Sequence, residues 1–532
     1  MPEKKLPSDN ASSLGGTRLR VQDYTPISGL CALCIPEKCL FLCEVSKAAL
    51  RGRETLYPEV EEFGYSTAAA NKDYGLDWSD IQLLPNLSEF YGVESDEFLF
   101  EDVSVEARFA GIRLKLPVFI AALGSTDIAR KHWEGLAAGA AISGTMIVVG
   151  ENVCGMDSKA VFSQGVVRES PELERRVRAF RDYWDGVYGD IAVQTNVEDE
   201  MMGVDFYALS KLEVGIIEKK FGQGAKSIGG EVRISSIERA LELKKRGYIV
   251  IPDPEDEAVR EAYRRGLIKS FERHSRVKKP DVDSFLERVD RLREAGAKRV
   301  LIKTGSYRPA AVAFVMKLAS TARIDGVTFD GAGGGTGMSP VSMMNESGVP
   351  TIYLEVWAVR AAEILSKRGA HVPDIAMAGG FSSEHHVVKA IALSGVNGEP
   401  YVKAVAMARA PILAVAKSKL LLSLAREGKL PPELARRWGS EPARLFTSYD
   451  ELSREYGRRV GDLVESGAIG LYTYFKKIAI GIKILLAGQR KASLYLLNRR
   501  DLAALTERAS RVTGLPLVSE VDEDLFNAIL SA

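Results

Sequence analysis

The stretch GVTFDGAGGGTGMSP, residues 326–340, decides the fold of this chain. Its first part, residues 326–330, is a short apolar run typical of a buried strand, and five of the ten residues in 331–340 are glycine. Glycine adopts positive φ and lets the backbone approach a ligand closely, so such a loop can direct several N–H groups at one phosphate. The loop lacks the Gly-Lys-Ser/Thr ending of a P-loop and the acidic ribose partner of a dinucleotide loop. A flexible surface loop and a phosphate loop both stay open at this point.

Seven further apolar runs of strand length lie on either side of this stretch. The eight strand candidates span residues 117–123, 145–150, 191–196, 248–251, 299–303, 326–330, 374–380 and 401–407. Continuous apolar runs are expected for parallel strands that are buried on both faces. Helical patterns lie between them, at residues 129–143, 210–222, 284–297 and 354–369. Alternating strands and helices over roughly 290 residues predict an α/β fold, a (β/α)8 TIM barrel.

In such barrels, ligands bind at the carboxyl ends of the strands. The candidate residues there are Ser125, Glu151, Gln194, Asn196, Lys303, Gly379, Gly380, Ala408 and Arg409, and the loop residues Gly333, Gly334, Gly335, Thr336 and Gly337. Two turns of small residues follow the last strands and lead into helices, as a barrel phosphate site requires. Together with the glycine loop, these turns favour phosphate binding. A further glycine-rich loop, FGQGAKSIGGE at 221–231, places Gln223 and Lys226 either at the barrel mouth or on the exposed surface.

Four of the five cysteines stand within thirteen residues, in the run CALCIPEKCLFLC. They are Cys31, Cys34, Cys39 and Cys43, spaced C-x2-C-x4-C-x3-C. A reducing cytosol disfavours two disulfides here, so a metal centre is the better interpretation. Structural zinc sites usually take their ligands from two separated knuckles, whereas four thiolates from one short segment suit a cuboidal 4Fe-4S cluster. We therefore expect an iron–sulfur cluster, with zinc and unligated thiols as the alternatives.

Composition and length limit the classes of protein to which this chain can belong. The chain has 532 residues and 71 basic against 71 acidic side chains, which argues against a nucleic-acid binder or a polybasic membrane protein. The N-terminus lacks an apolar signal region, and the late apolar run IAIGIKILLAG is interrupted by Lys483, so a cytoplasmic protein is expected. We expect four regions: a polar tail (1–30), a cysteine module with its lead-in (31–115), the barrel (116–415) and a helical extension (416–532).

Several of these motifs resemble the glutamate synthase family. Residues 116–415 are similar to its FMN-binding domain: GAGGGTGMSP matches the family's DGGTG-like loop, and GQGAKSIGGE matches its QGAK stretch. Further matches are Gly124-Ser125, Gly150-Glu151 and Lys303 at strand ends, and Gly379-Gly380 in the turn after the seventh strand. The cysteine run followed by GRETLYP, and the stretch 485–516, resemble short archaeal-type members of the family.

The resemblance implies FMN as the cofactor. Backbone amides of Gly333 to Gly337, Gly379, Gly380, Ala408 and Arg409 would hold its phosphate, with Ser125, Gln194 and Asn196 also at the cofactor. Lys303 would lie beside the flavin ring and stabilise negative charge on the reduced flavin. Glu151 would be an acid/base or ammonia-orienting carboxylate, and Gln223 and Lys226 would contact the substrate.

The implied reaction is the reductive amination of 2-oxoglutarate to glutamate. In the family, ammonia adds to 2-oxoglutarate and reduced flavin delivers hydride to the imine. The iron–sulfur cluster would pass electrons to FMN from a ferredoxin-type donor. Class II amidotransferase domains begin with a catalytic cysteine, whereas this chain begins Met-Pro, so a separate glutaminase subunit would supply the ammonia. A homo-oligomer is expected, with no nucleic-acid or membrane partner.

Two departures from the family pattern keep other functions open. The family's PGEGG segment is SIGGE here, which leaves the substrate undecided, and the cysteines precede the barrel, whereas in large glutamate synthases they follow it. One alternative is another FMN-barrel enzyme, such as a glutamate N-methyltransferase-type synthase subunit or a type 2 isopentenyl-diphosphate isomerase. The other is a non-catalytic electron-transfer subunit.

Overall fold

The structure is a computed structural model that describes most of the chain. The described residues are 49–50, 68–69, 73–87, 89–222, 231–336, 343, 346–396 and 398–532. The four clustered cysteines, Gln223, Lys226 and Gly337 lie outside the described residues, so the predictions made for them stay predictions.

Eight parallel strands form a closed barrel. In chain order they are β1 (Val118–Leu123), β2 (Ile147–Val149), β3 (Ile191–Thr195), β4 (Ile216–Phe221), β5 (Arg299–Thr304), β6 (Gly326–Asp330), β7 (Asp374–Ala378) and β8 (Val402–Met407). Each strand pairs in parallel with the next, and β8 pairs with β1 to close the ring. The predicted (β/α)8 TIM barrel is thus confirmed.

A helix follows each strand. These helices are α1 (Asp127–Ile142), α2 (Pro171–Arg181), α3 (Val204–Ser210), α4 (Val282–Glu294), α5 (Pro309–Thr321), α6 (Thr351–Lys367), α7 (Glu384–Leu393) and α8 (Arg409–Arg426). Their buried residues recur at helical spacing, as Leu173, Val177 and Phe180 do in α2, which gives each helix one apolar face for the barrel. The side chain of Ser170 accepts the N–H of Leu173 and so caps the start of α2.

The prediction for the fourth strand is wrong. Residues 248–251 contribute only a short strand, Ile249–Ile251, to a separate antiparallel sheet. The fourth barrel strand, β4, comes instead from the segment 210–222, which the sequence pattern predicted to be helical. β4 continues after two isoleucines with three charged residues, 218–220, so it lacks the continuous apolar run by which buried parallel strands are recognised.

Short antiparallel pairs and small helices extend the barrel. A three-stranded sheet of Glu231–Ile234, Phe271–His274 and Ile249–Ile251, with the helices Ile237–Lys245 and Glu257–Arg264, is inserted between β4 and α4. The two-stranded pairs are Ala68–Ala69 with Gly335–Thr336, Ile81–Leu83 with Leu502–Ala504, Ala107–Phe109 with Ile112–Leu114, and Val161–Ser163 with Val166–Glu169. Short helices span Trp78–Asp80, Phe100–Asp102, Val153–Met156 and Val197–Met201.

The hairpin of Ala107–Phe109 and Ile112–Leu114 covers the amino-terminal end of the barrel. The N–H of Ala110 donates to Asp374 Oδ2 at 2.7 Å, and its carbonyl accepts from Arg299 Nε at 2.7 Å. Asp374 and Arg299 are the first residues of β7 and β5, so the hairpin is fixed to the strand starts. This end of the barrel is therefore filled by protein, and the polar strand ends gather at the opposite end.

The C-terminal extension is largely helical, as predicted. After α8 its helices span Pro432–Trp438, Pro442–Leu445, Tyr449–Tyr456, Val460–Ser466, Ala468–Gly488, Glu507–Thr513 and Glu523–Ser531, with 3-10 turns at Gly457–Arg459, Leu494–Leu496 and Arg499–Asp501. The longest, Ala468–Gly488 (α9), packs on α1. A Cβ on Gly139 of α1 would lie 2.7 Å from the Leu471 side chain, so the glycine permits this close approach. Among the described helices, none is both long and apolar enough to cross a membrane.

Candidate functional site

Backbone contacts join the glycine loop after β6 to the turn after β7. The hydroxyl of Thr351, the first residue of α6, donates to the carbonyl oxygen of Gly379 at 2.8 Å. Gly379 has φ +113°, and a Cβ there would lie 2.7 Å from the carbonyl oxygen of Gly331. A Cβ on Gly334 would lie 2.6 Å from Asp330 Oδ1. Because a side chain at Gly379 or Gly334 would clash with its neighbours, both positions require glycine.

A cavity of about 490 Å³ opens beside these two loops. Its lining includes the predicted residues Gly334, Gly379, Gly380, Ala408 and Arg409, together with Asp330, Phe381, Ser382 and Leu413. The guanidinium of Arg409 donates to the carbonyl oxygen of Gly333 at 3.3 Å. Since α8 begins at Arg409, the N–H groups of its first turn have no acceptor within the helix, and its dipole is positive there. This combination of glycine turns, a helix N-terminus and an arginine can hold a phosphate.

Two ion pairs from neighbouring strands meet at the carboxyl end of the barrel. Lys303 Nζ of β5 lies 3.3 Å from Asp330 Oδ2 of β6, and only 7% of Lys303 is exposed. Lys220 Nζ of β4 donates to Glu151 Oε1, just after β2, at 2.5 Å. Lys220 and Lys303 are register partners on β4 and β5, so the two pairs are adjacent. The structure thus brings both predicted catalytic residues, Lys303 and Glu151, into one charged cluster.

The ionised side chains of this cluster stabilise one another's charged forms. Burial lowers the pKa of Lys303, but nearby carboxylates, led by Asp330, outweigh burial and raise that pKa above its ordinary value. Burial raises the pKa of Glu151, but the cations Lys220 and Lys303 outweigh burial and bring that pKa below its ordinary value. At neutral pH the cluster therefore offers a ligand a protonated Lys303 and an ionised Glu151.

Polar atoms without partners lie beside the charged cluster. Gln194 Nε2 of β3 donates to Glu218 Oε2 of β4 at 2.5 Å. Gln194 Oε1 and Thr328 Oγ1 are buried and have no hydrogen-bond partner among the described residues. Thr328 of β6 is the register partner of Lys303. Because buried polar atoms are nearly always satisfied by protein, water or a ligand, these two atoms mark where a ligand would bond.

The side chain of Asn196 shapes the turn after β3. Its Oδ1 accepts the N–H of Asp199 at 3.0 Å, and its Nδ2 donates to Asn152 Oδ1 at 3.2 Å. Both ends of the amide are therefore engaged within the protein. The predicted contact of Asn196 with a flavin ring stays a prediction.

Ser125, after β1, lines a second cavity of about 500 Å³. The charged residues of its lining are Arg130, Lys159, Arg175, Arg176 and Arg239, with Asp127, Asp157 and Glu172. Arg176 Nη1 donates to the carbonyl oxygens of Leu123 and Gly124 and so fixes the end of β1. Burial, followed by neighbouring arginines, lowers the pKa of Arg175 to about 10. Ser125 does not line the cavity beside the glycine turns, although Ala121 and Ile128 on either side of it do, and its predicted contact with the cofactor stays a prediction.

Residues 260–416 match the model of a family described as the conserved region in glutamate synthase. The resemblance to the glutamate synthase family is confirmed. The matched residues contain β5 to β8 and therefore Lys303 and both glycine turns. A glutamate synthase large subunit-like protein from Rhizobium meliloti (strain 1021) is 27% identical over 428 residues, which cover 78% of this chain and 81% of that protein.

Solved structures with a related architecture are more distant. A flavocytochrome b2 variant with pyruvate bound is 14% identical, with a TM-score of 0.45, over 87% of this chain and 86% of that one. An (S)-mandelate dehydrogenase is 13% identical, with a TM-score of 0.43, over 80% of this chain and 89% of that one. Similarity at this level says nothing about function.

The lead-in to the barrel lies across the glycine loop of the glutamate synthase-like region. Ala68–Ala69 pairs antiparallel with Gly335–Thr336 of that loop, which are predicted cofactor residues. The hydroxyl of Tyr74 donates to a backbone carbonyl of the same loop at 3.3 Å. The ring of Trp78 lies 5.7 Å from that of Phe381, which lines the cavity. Residues 68–69, Tyr74 and Trp78, which precede the barrel, therefore lie at the candidate site.

Sequence reasoning missed three charged residues of this candidate site. Glu218 and Lys220 were not recognised because segment 210–222 was predicted to be a helix. In a strand, side chains at alternate positions such as these two share one face, which was the available signal. Asp199 was hidden in the acidic run VEDE at 197–200, a pattern typical of a solvated helix surface. The spacing of Asn196 and Asp199 fits a capping box, but the second partner, Asn152, is 47 residues away, so spacing gave no signal for the contact between the two turns.

Proposed function

We propose that this protein is an FMN-dependent oxidoreductase of the glutamate synthase type, which converts 2-oxoglutarate and ammonia to glutamate. The main observation behind the proposal is that the family match and the candidate site residues occupy the same part of the chain. The glutamate synthase match, residues 260–416, falls on the strands that bear Lys303 and the two glycine turns. The similarity to the large subunit-like relative, which extends over most of both chains, supports the same assignment.

The residues around the cavity fit FMN. The positions of Gly334 and Gly379 have no room for a Cβ, so the loops can present bare backbone to a phosphate. Arg409 and the first turn of α8 add positive charge at the same place. Gln194 Oε1, a buried acceptor with no partner in the described part of the chain, would accept a hydrogen bond from the ring. When bound, FMN supplies the two-electron hydride chemistry that no amino-acid side chain provides.

Lys303 and Glu151 have complementary roles in this proposal. Lys303 keeps a proton at Nζ because of the surrounding carboxylates, and would stabilise negative charge on a bound ring. Glu151 is held as a carboxylate by Lys220, and would orient ammonia and take up its proton as it adds to the keto group of 2-oxoglutarate. Gln223 and Lys226 would contact the substrate.

We further propose that Cys31, Cys34, Cys39 and Cys43 hold a 4Fe-4S cluster that receives electrons from a ferredoxin-type donor. The spacing of the four cysteines supports this assignment. The pairing of Ala68–Ala69 with Gly335–Thr336 supports it as well, because it joins a segment that follows the cysteines in sequence to the glycine loop that electrons from the cluster must reach. A separate glutaminase subunit would supply ammonia, and a cytoplasmic homo-oligomer is part of the same proposal.

The experiment that tests the flavin assignment is the absorption spectrum of anaerobically purified protein, before and after dithionite. We expect flavin bands, and mass spectrometry of the released chromophore should identify FMN. The same protein should form glutamate from 2-oxoglutarate, ammonium and reduced ferredoxin. A colourless protein after incubation with FMN would refute the flavin. A yellow protein that forms no glutamate would refute the reaction and favour another FMN-barrel chemistry.

The cysteine assignment needs its own control. Cys34→Ser should lose most iron and acid-labile sulfide, because it removes one of the four proposed thiolate ligands. Cys154→Ser is the matched control, since Cys154 is buried near β2 and lies far from the cysteine run in sequence, and this variant should keep both. Zinc in place of iron, or equal iron content in the two variants, would contradict the assignment.

A further inference from the structure

One buried carboxylate ties the turn after β2 to the turn after β3. Asp199 Oδ2 accepts the N–H of Asn152 at 2.9 Å and the N–H of Asn196 at 3.3 Å. Asp199 is 0% exposed, and its Oδ1 has no hydrogen-bond partner among the described residues. Asn152 is the neighbour of Glu151, which meets Lys220 across the barrel mouth. We propose that Asp199 is a positioning residue that holds the two turns together and thereby sets the place of Glu151.

The hydrogen bonds of Asn152 help to hold an uncommon backbone conformation. Its backbone is left-handed, with φ +65° and ψ 10°, which is uncommon for a residue with a side chain, although asparagine adopts it more readily than most. Its side-chain oxygen also accepts from Tyr248 at 3.1 Å and from Asn196 at 3.2 Å. Without Asp199, the backbone of Asn152 would lose its acceptor and relax, and Glu151 would turn with it. The inference rests on the proposed role of Glu151.

Asp199 also titrates in the neutral range. The groups that face it are Glu151, Glu198, Cys154 and Tyr248, with Arg273 beyond the tyrosine ring and Arg276 paired to Glu198. Burial raises the pKa of Asp199 to about 7; the two N–H donors oppose this rise, and Glu151 and Glu198 add to it. An ionised carboxylate accepts stronger hydrogen bonds than a neutral acid does. The hydrogen bonds by which Asp199 links the two turns are therefore stronger above that pKa and weaker below it.

The test is hydrogen exchange at the backbone amides of Asn152 and Asn196, measured by mass spectrometry on the full chain. Asp199→Ala removes the oxygen that accepts from both amides, and exchange at the two amides should rise by about tenfold or more. Asp199→Asn keeps an acceptor oxygen and should keep most of the protection. In wild type the protection should increase between about pH 6 and 8 after correction for intrinsic exchange, and in Asp199→Asn it should not. Asp96→Asn, at an exposed position, should match wild type throughout.

Two results would overturn the proposal. The first is wild-type protection at Asn152 and Asn196 in a folded Asp199→Ala protein. The second is an Asp199→Asn protein in which protection at the two amides changes with pH as much as it does in wild type. This second measurement tests the proposal even if Asp199→Ala does not fold. Neither measurement needs flavin or turnover, so the outcome stands even if the proposed function fails.

A kinetic measurement then separates positioning from mere structural support. In the wild-type reaction, kcat should rise through an inflection near pH 7, where Asp199 titrates. Asp199→Asn should lack that inflection while the KM for 2-oxoglutarate stays within about twofold of wild type. An identical inflection in the variant would refute the link between Asp199 and the reacting groups. A wild-type protein that forms no glutamate would refute the proposed function and leave the exchange result to decide the role of Asp199.

Discussion

Replacing Lys303 by methionine should destabilise the protein sharply, because it leaves a carboxylate buried without its partner. Lys303 is 7% exposed, and its Nζ lies 3.3 Å from Asp330 Oδ2. Methionine has a similar length and apolar volume, so packing changes little and the lost charge dominates. The second partner, Asp330, remains at the end of β6 beside the glycine loop.

The distance between the two charges sets the size of the effect. At 3.3 Å and an effective dielectric constant of about 20, two unit charges attract by roughly 5 kcal/mol. Removing one partner of a buried pair typically costs about 3–5 kcal/mol, since the other charge has already lost its water. We therefore expect Lys303→Met to lower the free energy of unfolding by about 3–5 kcal/mol. Asp330→Asn should show a loss of the same order, and the double variant should lose about 2–4 kcal/mol less than the sum of the two.

The assay is urea unfolding at pH 7 of wild type, both single variants and the double variant, followed by circular dichroism. The pair Lys403 and Glu399 is a suitable control, because its atoms are 3.1 Å apart but Glu399 is 68% exposed. The same cycle on that pair should give a coupling of no more than about 1 kcal/mol. If the losses for Lys303 and Asp330 add to within about 0.5 kcal/mol, the two charges do not support each other and our account of the cluster is refuted.

Three further outcomes are expected. Gly379→Ala should weaken FMN binding, measured by fluorescence titration, and should destabilise the fold, measured by thermal melting. Gly398→Ala is the control: Gly398 also has a positive φ, +127°, but nothing lies within 4 Å of the added Cβ, so this variant should affect only stability. Arg299→Met should cost about 1–3 kcal/mol in urea unfolding, because it leaves the carbonyl of Ala110 without its donor at the closed end of the barrel, and should leave flavin content unchanged. The free energy of unfolding of Asp199→Asn, measured relative to that of wild type, should increase by up to about 4 kcal/mol as the pH rises from about 4 to about 7. The sign follows because a raised carboxyl pKa makes the folded wild type bind more protons than the unfolded chain in that range, so its stability falls with rising pH.

The barrel could be predicted because seven of its eight strands follow the rule for parallel sheets. Runs such as 326–330 and 374–380 are mostly apolar, and the structure places β6 and β7 in them. β4 breaks the rule, since Glu218, Lys219 and Lys220 are charged and lie in a buried strand. Lys219 is compatible with burial because Asp205 of α3 lies 3.3 Å from its Nζ and Glu200 and Thr195 also contact that Nζ, which no local pattern reveals.

The candidate site could be predicted where a residue acts through its position at the end of a strand. Gly379 and Gly380 follow β7 directly, and Arg409 opens α8. Asp199 could not be found this way, because its function in the structure depends on N–H groups from two different turns. Lys220 could not be found either, because its partner Glu151 is 69 residues away in sequence.

The departure of β4 from the apolar rule is itself informative about function. Placing the buried Glu218 and the mostly buried Lys220 in a barrel strand requires desolvation that apolar side chains avoid, and replacement of buried ion pairs by apolar groups is often neutral or stabilising. Stability alone therefore gives no reason for these residues. Each of them contacts another polar group at the strand ends: Glu218 accepts from Gln194, and Lys220 donates to Glu151. The charges of Glu218 and Lys220, which lie near Lys303 and Glu151, are best explained by the chemistry at that end of the barrel, since strained or polar exceptions to folding rules concentrate at functional sites.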